Sequence, residues 1–311
     1  MNPFVSIVIL TFNRKKILRK LLSSVSEIQY TEHEVIVIDN NSSDGTGEMV
    51  VEEFPNITYC LMKKNLGVAA RNEGLKLAKG EIIVTIDDDI FGINDDAIMK
   101  LIHYFQTNVK VGALNFKVID NVEGAICNWI HHREEEKFHE KDFLTYEITE
   151  GAVAFSKKAL ETAGYYPEYF FLSHEGPDLA LRIMNVGFEV RYSPLISVIH
   201  SHAQEGRKSW FRYYYDTRNQ FLLAMRNYPF FYSVRYLVRG FLSTLFYSIR
   251  DGFFLYWIKG VFDGIIGSYR HYKDRNPLSK DTMSAVYRID SERPSFIYML
   301  KKRVFCKEMR L

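Results

Sequence analysis

Three consecutive aspartates, Asp87, Asp88 and Asp89, follow an apolar, β-branched run at residues 80–86. That run has the length and composition of one buried strand. Three carboxylates at the end of a strand repel one another and need a counter-charge if they are shielded from water. Because carboxylate oxygens are hard ligands, such a cluster can hold a divalent metal together with phosphate oxygens. A solvated turn explains the triplet equally well, so both interpretations stay open at this point.

Polar residues also follow other predicted strands within the first ~115 residues, where strand and helix patterns alternate as in a parallel α/β sheet. They stand at residues 11–14, 39–42 and 65–67, after strands predicted at 5–10, 34–38 and 57–62. Ligands of open parallel sheets bind beyond the carboxyl ends of the strands. We therefore predict that these three segments and the aspartate triplet converge on one ligand site.

Composition sets broad limits. The chain has 311 residues, of which 47% are hydrophobic, so it can form a large domain with an appendage and is not globally disordered. Its three cysteines, Cys60, Cys127 and Cys306, show no C-x-x-C spacing. Neither a zinc knuckle nor a disulfide framework is indicated, which fits a reducing compartment. The first residues enter a strand pattern without the features of a signal peptide, so we expect a cytoplasmic location.

The composition changes after about residue 222, and residues 228–272 are rich in Phe, Tyr, Leu and Ile. The longest uncharged stretch, at 240–249, is too short to span a bilayer. Arg235, Arg239 and Arg250 recur on one predicted helix face, and Lys259 and Arg270 recur on the next. Cationic faces beside aromatic ones predict that residues 228–275 lie on a membrane surface. Packing on the rest of the chain or on a second copy is the alternative.

Four segments carry a resemblance to a known family: VSIVILTFNR at 5–14, VIDNNSSDGT at 37–46, NLGVAARN at 65–72 and IDDD at 86–89. In this order and spacing the chain resembles a family 2 glycosyltransferase with the GT-A fold, and in particular the rhamnosyltransferase-like members. The resemblance covers roughly residues 4–220.

The resemblance implies that Asp39 accepts a hydrogen bond from the N3–H of a uracil or thymine base. It places a wider group around the nucleoside, diphosphate and sugar, namely Thr11, Phe12, Arg14, Asn41, Asn65, Gly67, Arg71, Asp87 and Asp88. Asp87 and Asp89 match the two acids of the family's D-x-D motif, which makes Asp88 the most dispensable of the three. Asp89 is then the most direct ligand of Mg²⁺ or Mn²⁺, and Asp87 faces the ribose or sugar as a second candidate ligand.

An inverting transfer also needs a base that takes the proton of the acceptor hydroxyl. The family places this base in an acidic E-D-x-D motif before a helix, and the corresponding segment here is HEGPD at 174–178, so Gly176 replaces the second acid. Glu175 is our first candidate for the base. Asp178 is the alternative, although it also suits the first turn of a helix as a capping residue behind Pro177.

Three later residues complete the candidate set. His200 follows the strand predicted at 190–199 and matches a family position that can complete the metal site, and His202 matches it less well. Arg207 and Arg218 are candidates for contact with the acceptor or the diphosphate, with a structural salt bridge as an equal alternative for each.

We therefore expect an α/β protein in which a GT-A, Rossmann-like, mixed and mostly parallel sheet is flanked by helices and followed by a C-terminal amphipathic helical segment. Residues 1–222 are predicted to form the catalytic domain, with a nucleotide-binding half at 1–115 and an acceptor half at 116–222. Residues 223–311 form the helical, aromatic and basic region.

The implied function is inverting, metal-dependent transfer of a sugar, with rhamnose as one candidate, from a UDP- or dTDP-sugar to a hydroxyl of a growing, lipid-linked surface glycan. The expected location is the inner face of the cell membrane, with a homo-oligomer as an option and no nucleic-acid partner. Two rivals remain. A nucleotidyltransferase would ordinarily have a glycine-rich phosphate loop, which TFNR at 11–14 is not, and an inactive sugar-nucleotide-binding scaffold protein would explain Gly176.

Overall fold

A computed structural model of the chain describes residues 2–201, 210–295 and 298. Within these residues the strands form one mixed sheet in the order β3-β2-β1-β4-β8-β6-β9-β5, with β7 paired to β9. The strands are β1 Val5–Thr11, β2 His33–Asp39, β3 Thr58–Leu61, β4 Ile82–Asp87, β5 Ile90–Phe91, β6 Val111–Asp120, β7 Phe143–Leu144, β8 Ala152–Ser156 and β9 Glu189–His200.

Helices cover both faces of this sheet and continue beyond it. They are α1 Lys15–Val25, α2 Thr46–Glu53, α3 Arg71–Leu77, α4 Asp95–Thr107, α5 Glu135–Phe138, α6 Lys157–Ala163, α7 Glu175–Asn185, α8 Trp210–Asn227, α9 Phe230–Arg250, α10 Phe254–Arg270 and α11 Lys280–Ser291. Short 3₁₀ turns lie at Gly67–Ala70, Glu168–Phe170 and Tyr272–Asp274.

The first half of the sheet is parallel, as the sequence predicts: β1 pairs in parallel with β2 and β4, and β2 pairs with β3. The second half is mixed because β8 runs antiparallel to both β4 and β6, while β6 and β9 pair in parallel. β1, β2, β4 and β9 consequently end at the same edge of the sheet. The fold class that we expected is confirmed.

Two apolar layers hold the sheet between its helices. One face packs against α1, α2 and α4, whose buried residues include Leu18, Val50 and Leu101. The other face packs against α3, α6 and α7. Burial of each large aliphatic side chain contributes about 1.5–3 kcal/mol, so these layers fix where the strand ends lie.

A third apolar cluster joins the C-terminal helices to the rest of the chain. It combines Leu181 of α7 with residues of α8, α9 and α11, including Leu223, Tyr232 and Val286. The domain boundary predicted at residue 222 falls inside α8, so that helix belongs to both predicted regions.

The outer surfaces of α9 and α10 remain apolar and exposed. Gly260 and Gly264 of α10 lie directly against the backbone of α8, where a Cβ atom would be about 3 Å or less from carbonyl oxygens. The opposite surfaces expose large side chains: Phe230, Phe231, Val238, Leu242, Phe246, Ile249, Leu255, Phe262, Ile265 and Tyr269. None of the helices in the described ranges combines the length and the apolar character needed to cross a bilayer.

Candidate active site

The predicted ligand residues meet at one edge of the sheet. In the strand register Thr11 lies opposite Asp39, and Leu10 lies opposite Asp87. β9 ends at the same edge with His200, opposite Asp120 of β6. The parallel pairing of neighbouring strands therefore brings carboxylates from β2 and β4 and an imidazole from β9 to a common surface, as is typical of ligand sites in open α/β sheets.

Asp88 is buried and tied to the end of β1. Its Oδ2 accepts a hydrogen bond from Thr11 Oγ1 at 2.7 Å, and its Oδ1 accepts one from Arg14 Nη1 at 2.9 Å. Burial raises the pKa of Asp88 to about 6, although Arg14 and Thr11 act in the opposite direction. Asp88, which looked most dispensable in the sequence, thus has the structural task of fixing Thr11 and Arg14 against β4.

Asp89 and His200 form the pair best suited to a metal. His200 Nε2 lies 3.5 Å from Asp89 Oδ2, which also accepts a hydrogen bond from Arg14 Nη1 at 2.7 Å. Burial alone would raise the pKa of Asp89, but His200 and Arg14 hold it below its usual value. The second oxygen, Oδ1, is buried and has no hydrogen-bond partner among the described residues. An ionised carboxylate with such an oxygen fits a divalent cation.

Metal binding through His200 Nε2 depends on the hydrogen-bond partner of His200 Nδ1. Asn128 Nδ2 lies 3.2 Å from His200 Nδ1. A ring that binds metal through Nε2 carries its proton on Nδ1. The Asn128 side chain would then have to accept from the Nδ1–H through its amide oxygen, which requires the amide to be turned by 180°. Aspartate and histidine can therefore supply two protein ligands.

Asp87 faces a different partner. Its carboxylate forms an ion pair with the buried guanidinium of Arg71. Its backbone N–H donates to the carbonyl of Gly151 at 3.1 Å, and a Cβ at Gly151 would collide with the Asp87 carboxylate. Of the three predicted metal ligands, Asp89 and His200 come together and Asp87 does not join them. In the described part of the chain no three His, Cys, Asp or Glu side chains form a metal-binding group.

Asp39 marks the opposite end of the site. Its Oδ1 accepts a hydrogen bond from the Ser42 N–H, and its Oδ2 accepts one from the Tyr59 hydroxyl, both at 2.7 Å. Tyr59 had not been predicted from the sequence, because its position on β3 carries no local signal for this contact. The two hydrogen bonds hold the buried carboxylate in place, while Phe12 and Asn41 beside it are exposed.

Asn65 and Gly67 connect this end to a second loop. Asn65 Oδ1 accepts from the Gly67 N–H at 2.8 Å. Gly67 has φ +62°, and a Cβ there would collide with the carbonyl oxygen of Phe171. That same oxygen accepts a hydrogen bond from the Val68 N–H at 2.9 Å. The predicted nucleotide loop at 65–67 thus directly contacts the loop that leads to Glu175.

The loop before α7 is strained and firmly held. Phe171, Ser173 and His174 all have positive φ angles, between 62° and 72°, which non-glycine residues adopt only when their surroundings impose it. Asn219 Nδ2 contacts the carbonyls of this loop at 2.7–3.0 Å. Arg218 Nη2 donates to the carbonyls of Tyr169 and Phe170 at 2.8 and 2.6 Å.

These contacts place Glu175 and account for Arg218. Glu175 follows the loop directly as the first residue of α7 and is buried. Arg218 holds the loop that precedes Glu175. Arg207 and His202 lie outside the described residues.

Asp178, the alternative base, is fully enclosed. Its Oδ2 accepts from Arg182 Nε at 2.9 Å, and its Oδ1 accepts from Asn227 Nδ2 at 2.7 Å. Arg226 Nε lies 3.1 Å from the same Oδ1. Two arginines and an asparagine amide therefore contact the Asp178 carboxylate and fasten α7 to α8. Because Asp178 is committed to these contacts, Glu175 is the better placed of the two candidates for the base.

One further buried acid, Glu150, lies near the site and was not predicted from the sequence. Glu150 precedes Gly151 and β8, and both of its carboxylate oxygens are shielded from solvent. Burial and the neighbouring Glu175 raise the pKa of Glu150 well above its usual range, with Arg71 acting in the opposite direction. The only signal for Glu150 in the sequence is the glycine that follows it, Gly151, since a glycine can mark a place where another chain segment lies close to the backbone.

Known proteins resemble this chain in sequence. The family description "Glycosyl transferase family 2" matches residues 6–164, about half of the chain. The dTDP-rhamnosyl transferase RfbF of Shigella flexneri is 28% identical over 267 residues, which cover 78% of this chain and 88% of that protein. The poly-beta-1,6-N-acetyl-D-glucosamine synthase of Staphylococcus epidermidis is 35% identical over 113 residues, 35% of this chain. That match spans 27% of the synthase, so the chain aligns with about a quarter of this relative.

Solved structures share the fold at low sequence identity. TarS 1-349 of S. aureus in complex with UDP-GlcNAc gives a TM-score of 0.62 at 19% identity, over 84% of this chain and 80% of that one. The mannosyltransferase PcManGT of Pyrobaculum calidifontis with GDP-Man and Mn²⁺ gives 0.55 at 17% identity, over 99% of this chain and 89% of that one. These similarities confirm the GT-A fold. Together with the family match over residues 6–164, they establish that the chain belongs to glycosyl transferase family 2, as the sequence predicted.

Proposed function

We propose that this chain is an inverting, metal-dependent glycosyltransferase that moves a sugar from a UDP- or dTDP-sugar to a hydroxyl of a growing surface glycan. The observation that carries the proposal is the meeting of Asp39, the Asp89–His200 pair and Asp87 at one edge of the sheet, where Val68 is hydrogen-bonded to the Phe171 carbonyl of the loop before Glu175. Similarity to RfbF over most of both chains supports dTDP-rhamnose as the first donor to test. UDP-GlcNAc, which is bound in the TarS structure, is the second.

Each residue in the proposed site has a task. Asp39, held by Ser42 and Tyr59, accepts the imide N–H of the base. Asp89 and His200 would hold Mg²⁺ or Mn²⁺, and the ion would neutralise the charge that grows on the leaving diphosphate. Asp87, fixed by Arg71, lies toward the ribose or sugar. Glu175 takes the proton of the acceptor hydroxyl. The hydroxyl oxygen attacks C1 of the sugar, and the bond from C1 to the diphosphate breaks.

The C-terminal helices support a place at the membrane. The exposed faces of α9 and α10 combine aromatic and aliphatic side chains with exposed Arg235, Arg239 and Arg270. This combination fits the interface of an anionic bilayer. We propose that these helices bind the inner membrane surface peripherally and bring the site to a lipid-linked acceptor.

Substitution of Asp89 tests the metal assignment. We expect Asp89→Asn to lower Mn²⁺-dependent sugar transfer at least ~100-fold, because the carboxylate would hold the ion that neutralises the leaving diphosphate. It should also weaken Mn²⁺ binding in electron paramagnetic resonance titrations with UDP or dTDP. Asp96→Asn, at an exposed acid paired with Lys100, is the matched control. Full metal binding and transfer by Asp89→Asn would contradict the assignment. A wild-type chain that binds nucleotide sugars without turnover would support the inactive scaffold instead.

A further inference from the structure

Arg14 occupies the carboxylate that the proposed metal needs. Its Nη1 donates to Asp89 Oδ2 at 2.7 Å and to Asp88 Oδ1 at 2.9 Å, so one guanidinium nitrogen bridges the two acids. His200 Nε2 lies 3.5 Å from the same Asp89 Oδ2. A guanidinium and a divalent cation are both attracted to this oxygen, and their positive charges repel each other. The arginine and the metal are therefore competitors for Asp89.

The exposure of these side chains gives Arg14 a place in the path of an arriving ion. The side chains of Asp88 and Asp89 are 3% and 5% exposed, whereas that of Arg14 is 30% exposed. The two acids are thus nearly closed to water, and the side chain that contacts both of them is open to solvent. An ion that reaches Asp89 Oδ2 has to take the place of the Arg14 contact.

Backbone pairing fixes Asp89 and His200, whereas Arg14 reaches them from another element. The Asp89 carbonyl accepts the Ser201 N–H at 2.9 Å, and Ile90 pairs with His200 between β5 and β9. Arg14 lies directly before α1 and extends toward the acids through a long side chain with several rotatable bonds. The proposed metal pair is therefore held in place, and the arginine is the part of the group that is able to move.

Asp88 offers the arginine a second partner. Thr11 Oγ1 donates to Asp88 Oδ2 at 2.7 Å, and Oδ1 accepts from Arg14. The guanidinium can therefore release Asp89 and stay paired with Asp88. With both acids ionised, Asp88, Asp89 and Arg14 together have one negative charge in excess. A divalent cation alone reverses that charge, whereas a cation that arrives with a nucleoside diphosphate brings the balancing negative charge with it.

We propose that Arg14 is the resident counter-ion of Asp89 and releases this carboxylate only to a divalent cation that is accompanied by a nucleoside diphosphate. The inference rests on the proposed function. Arg14 is in this account a positioning residue. It compensates Asp89 in the ligand-free protein, pairs with Asp88 alone once the donor is bound, and keeps its positive charge beside the diphosphate. The affinity for the metal then depends on the nucleotide through this one side chain.

The test measures Mn²⁺ binding by electron paramagnetic resonance. Each protein is titrated without nucleotide and then with UDP or dTDP, with a correction for the Mn²⁺ that free nucleotide binds. Arg14→Gln and Arg14→Met remove the charge, and Arg14→Lys keeps it. Arg19→Gln, at an arginine of α1 whose partner is Glu53, is the control. Melting temperatures report whether each variant is folded.

We expect Arg14→Gln and Arg14→Met to bind Mn²⁺ alone at least ~5-fold more tightly than wild type, because the competing charge is gone. UDP or dTDP should tighten Mn²⁺ binding at least ~10-fold in wild type, and this factor should be at least ~5-fold smaller in the two neutral variants. For Mn²⁺ alone, Arg14→Lys and Arg19→Gln should stay within about threefold of wild type, since both keep a cation at position 14.

Three results would overturn the role of Arg14. A gain in Mn²⁺ affinity below ~5-fold in a folded neutral variant would show that Arg14 does not compete for Asp89. Equal tightening in Arg14→Lys would assign the effect to the shape of the side chain instead of its charge. Failure of both neutral variants to fold would make Arg14 a structural support.

The wild-type titration separates this inference from the proposed function. A wild-type chain that takes up no Mn²⁺ with either nucleotide overturns the metal-dependent function and the role of Arg14 together. Nucleotide-coupled uptake that is the same in wild type and Arg14→Gln overturns the role of Arg14 alone.

Discussion

Single carboxylates in this protein differ in role because they differ in partners. Asp87, Asp88 and Asp89 are adjacent in sequence, yet one pairs with Arg71, one ties down Thr11 and Arg14, and one meets His200. β4 ends at Asp87, and Asp88 and Asp89 lie in the turn that follows, which directs the three side chains to different partners. The three adjacent aspartates therefore have three different sets of partners.

Variants of Asp39 and Tyr59 can separate nucleotide binding by the Asp39 carboxylate from the support that the Tyr59 hydroxyl gives to that carboxylate. We expect Asp39→Asn to weaken UDP and dTDP binding at least ~10-fold, because an amide cannot accept from the base N–H while keeping both existing hydrogen bonds. Tyr59→Phe removes only the supporting hydroxyl and should cost about 1.5–3 kcal/mol of stability with a smaller loss of affinity. Isothermal titration with each nucleotide checks the first change, and denaturant unfolding checks the second. Equal affinity for wild type and Asp39→Asn would rule out Asp39 as the base contact.

His131 gives stability a dependence on pH. It is buried among Trp129, Phe143 and Tyr192, and burial, followed by the charges of His132 and Arg133, lowers its pKa to about 3. Below pH ~6.5 the unfolded chain binds a proton here that the folded chain refuses, so this share of stability is present above pH ~6.5 and is lost as the pH falls.

We expect His131 to make the protein about 2 kcal/mol less stable at pH 5 than at pH 7. His131→Phe should flatten this part of the profile, measured by urea unfolding at several pH values, whatever its effect on stability at pH 7. His103→Phe, on the exposed side of α4, should leave the slope as in wild type. If the free energy of unfolding depends on pH in His131→Phe as it does in wild type, other groups cause the loss of stability at low pH.

The partners of individual residues were the least predictable part of the site. Asp39, Asp89 and His200 could be found because each directly follows a strand, and strand ends share an edge. Tyr59 and Glu150 could not, since each meets its partner only through the pairing of β2 with β3 or the approach of the 149–151 turn to α7. Such contacts arise from folded geometry and leave no spacing signal in the chain.

Among the elements, α8 supports the loop that precedes the candidate base. Asn219 is fully buried on this helix and contacts the carbonyls of Phe170, Leu172 and Ser173. These residues immediately precede Glu175, and three positive φ angles in the loop need such support. α8 is therefore a clamp for the candidate base, although it carries no residue of the proposed donor site.

We expect Asn219→Ala to destabilise the protein by about 2–4 kcal/mol, because buried carbonyl groups lose their donor. Transfer should fall further than the remaining folded fraction explains, while UDP and dTDP binding persists. Asn108→Ala, at the end of α4 far from this loop, is the control. Unfolding curves and kcat at a temperature where both variants are folded make the comparison. Unchanged kcat in Asn219→Ala would mean that the loop positions itself without the clamp.

Local patterns predicted most elements within one or two residues. The strand expected at 5–10 is Val5–Thr11, and the strand expected at 34–38 is His33–Asp39. The helix predicted behind Pro177 begins at Glu175, so that Pro177 and Asp178 both lie in its first turn, where proline is well accommodated. The antiparallel insertion of β8 between β4 and β6 was not predictable, since periodicity identifies strands but not their neighbours.

At the scale of the whole molecule, the exposed apolar and basic surface of α9 and α10 allows the proposed membrane binding to be tested. We expect the protein to float with vesicles of phosphatidylethanolamine and phosphatidylglycerol, and to float less at high salt. Arg235→Glu with Arg239→Glu should reduce the bound fraction at least ~5-fold, since each basic residue contributes about 1 kcal/mol at such a surface.

A charge reversal elsewhere gives the comparison. Lys100→Glu on α4 should leave vesicle binding as in wild type. A protein that stays in solution with vesicles but doubles its mass in light scattering would assign the apolar surface to a second copy of the chain instead.

The hydrogen bond from Val68 to the Phe171 carbonyl has a consequence for the order of events. The segment that bears Asn65 and Gly67 and the segment that presents Glu175 cannot shift independently, because one supplies the donor and the other the acceptor of the same bond. A nucleotide that stabilises the first segment then also stabilises the second. Under the proposed function, thermodynamic reciprocity means that each substrate would tighten the binding of the other by the same factor, which would favour a ternary complex over either binary one.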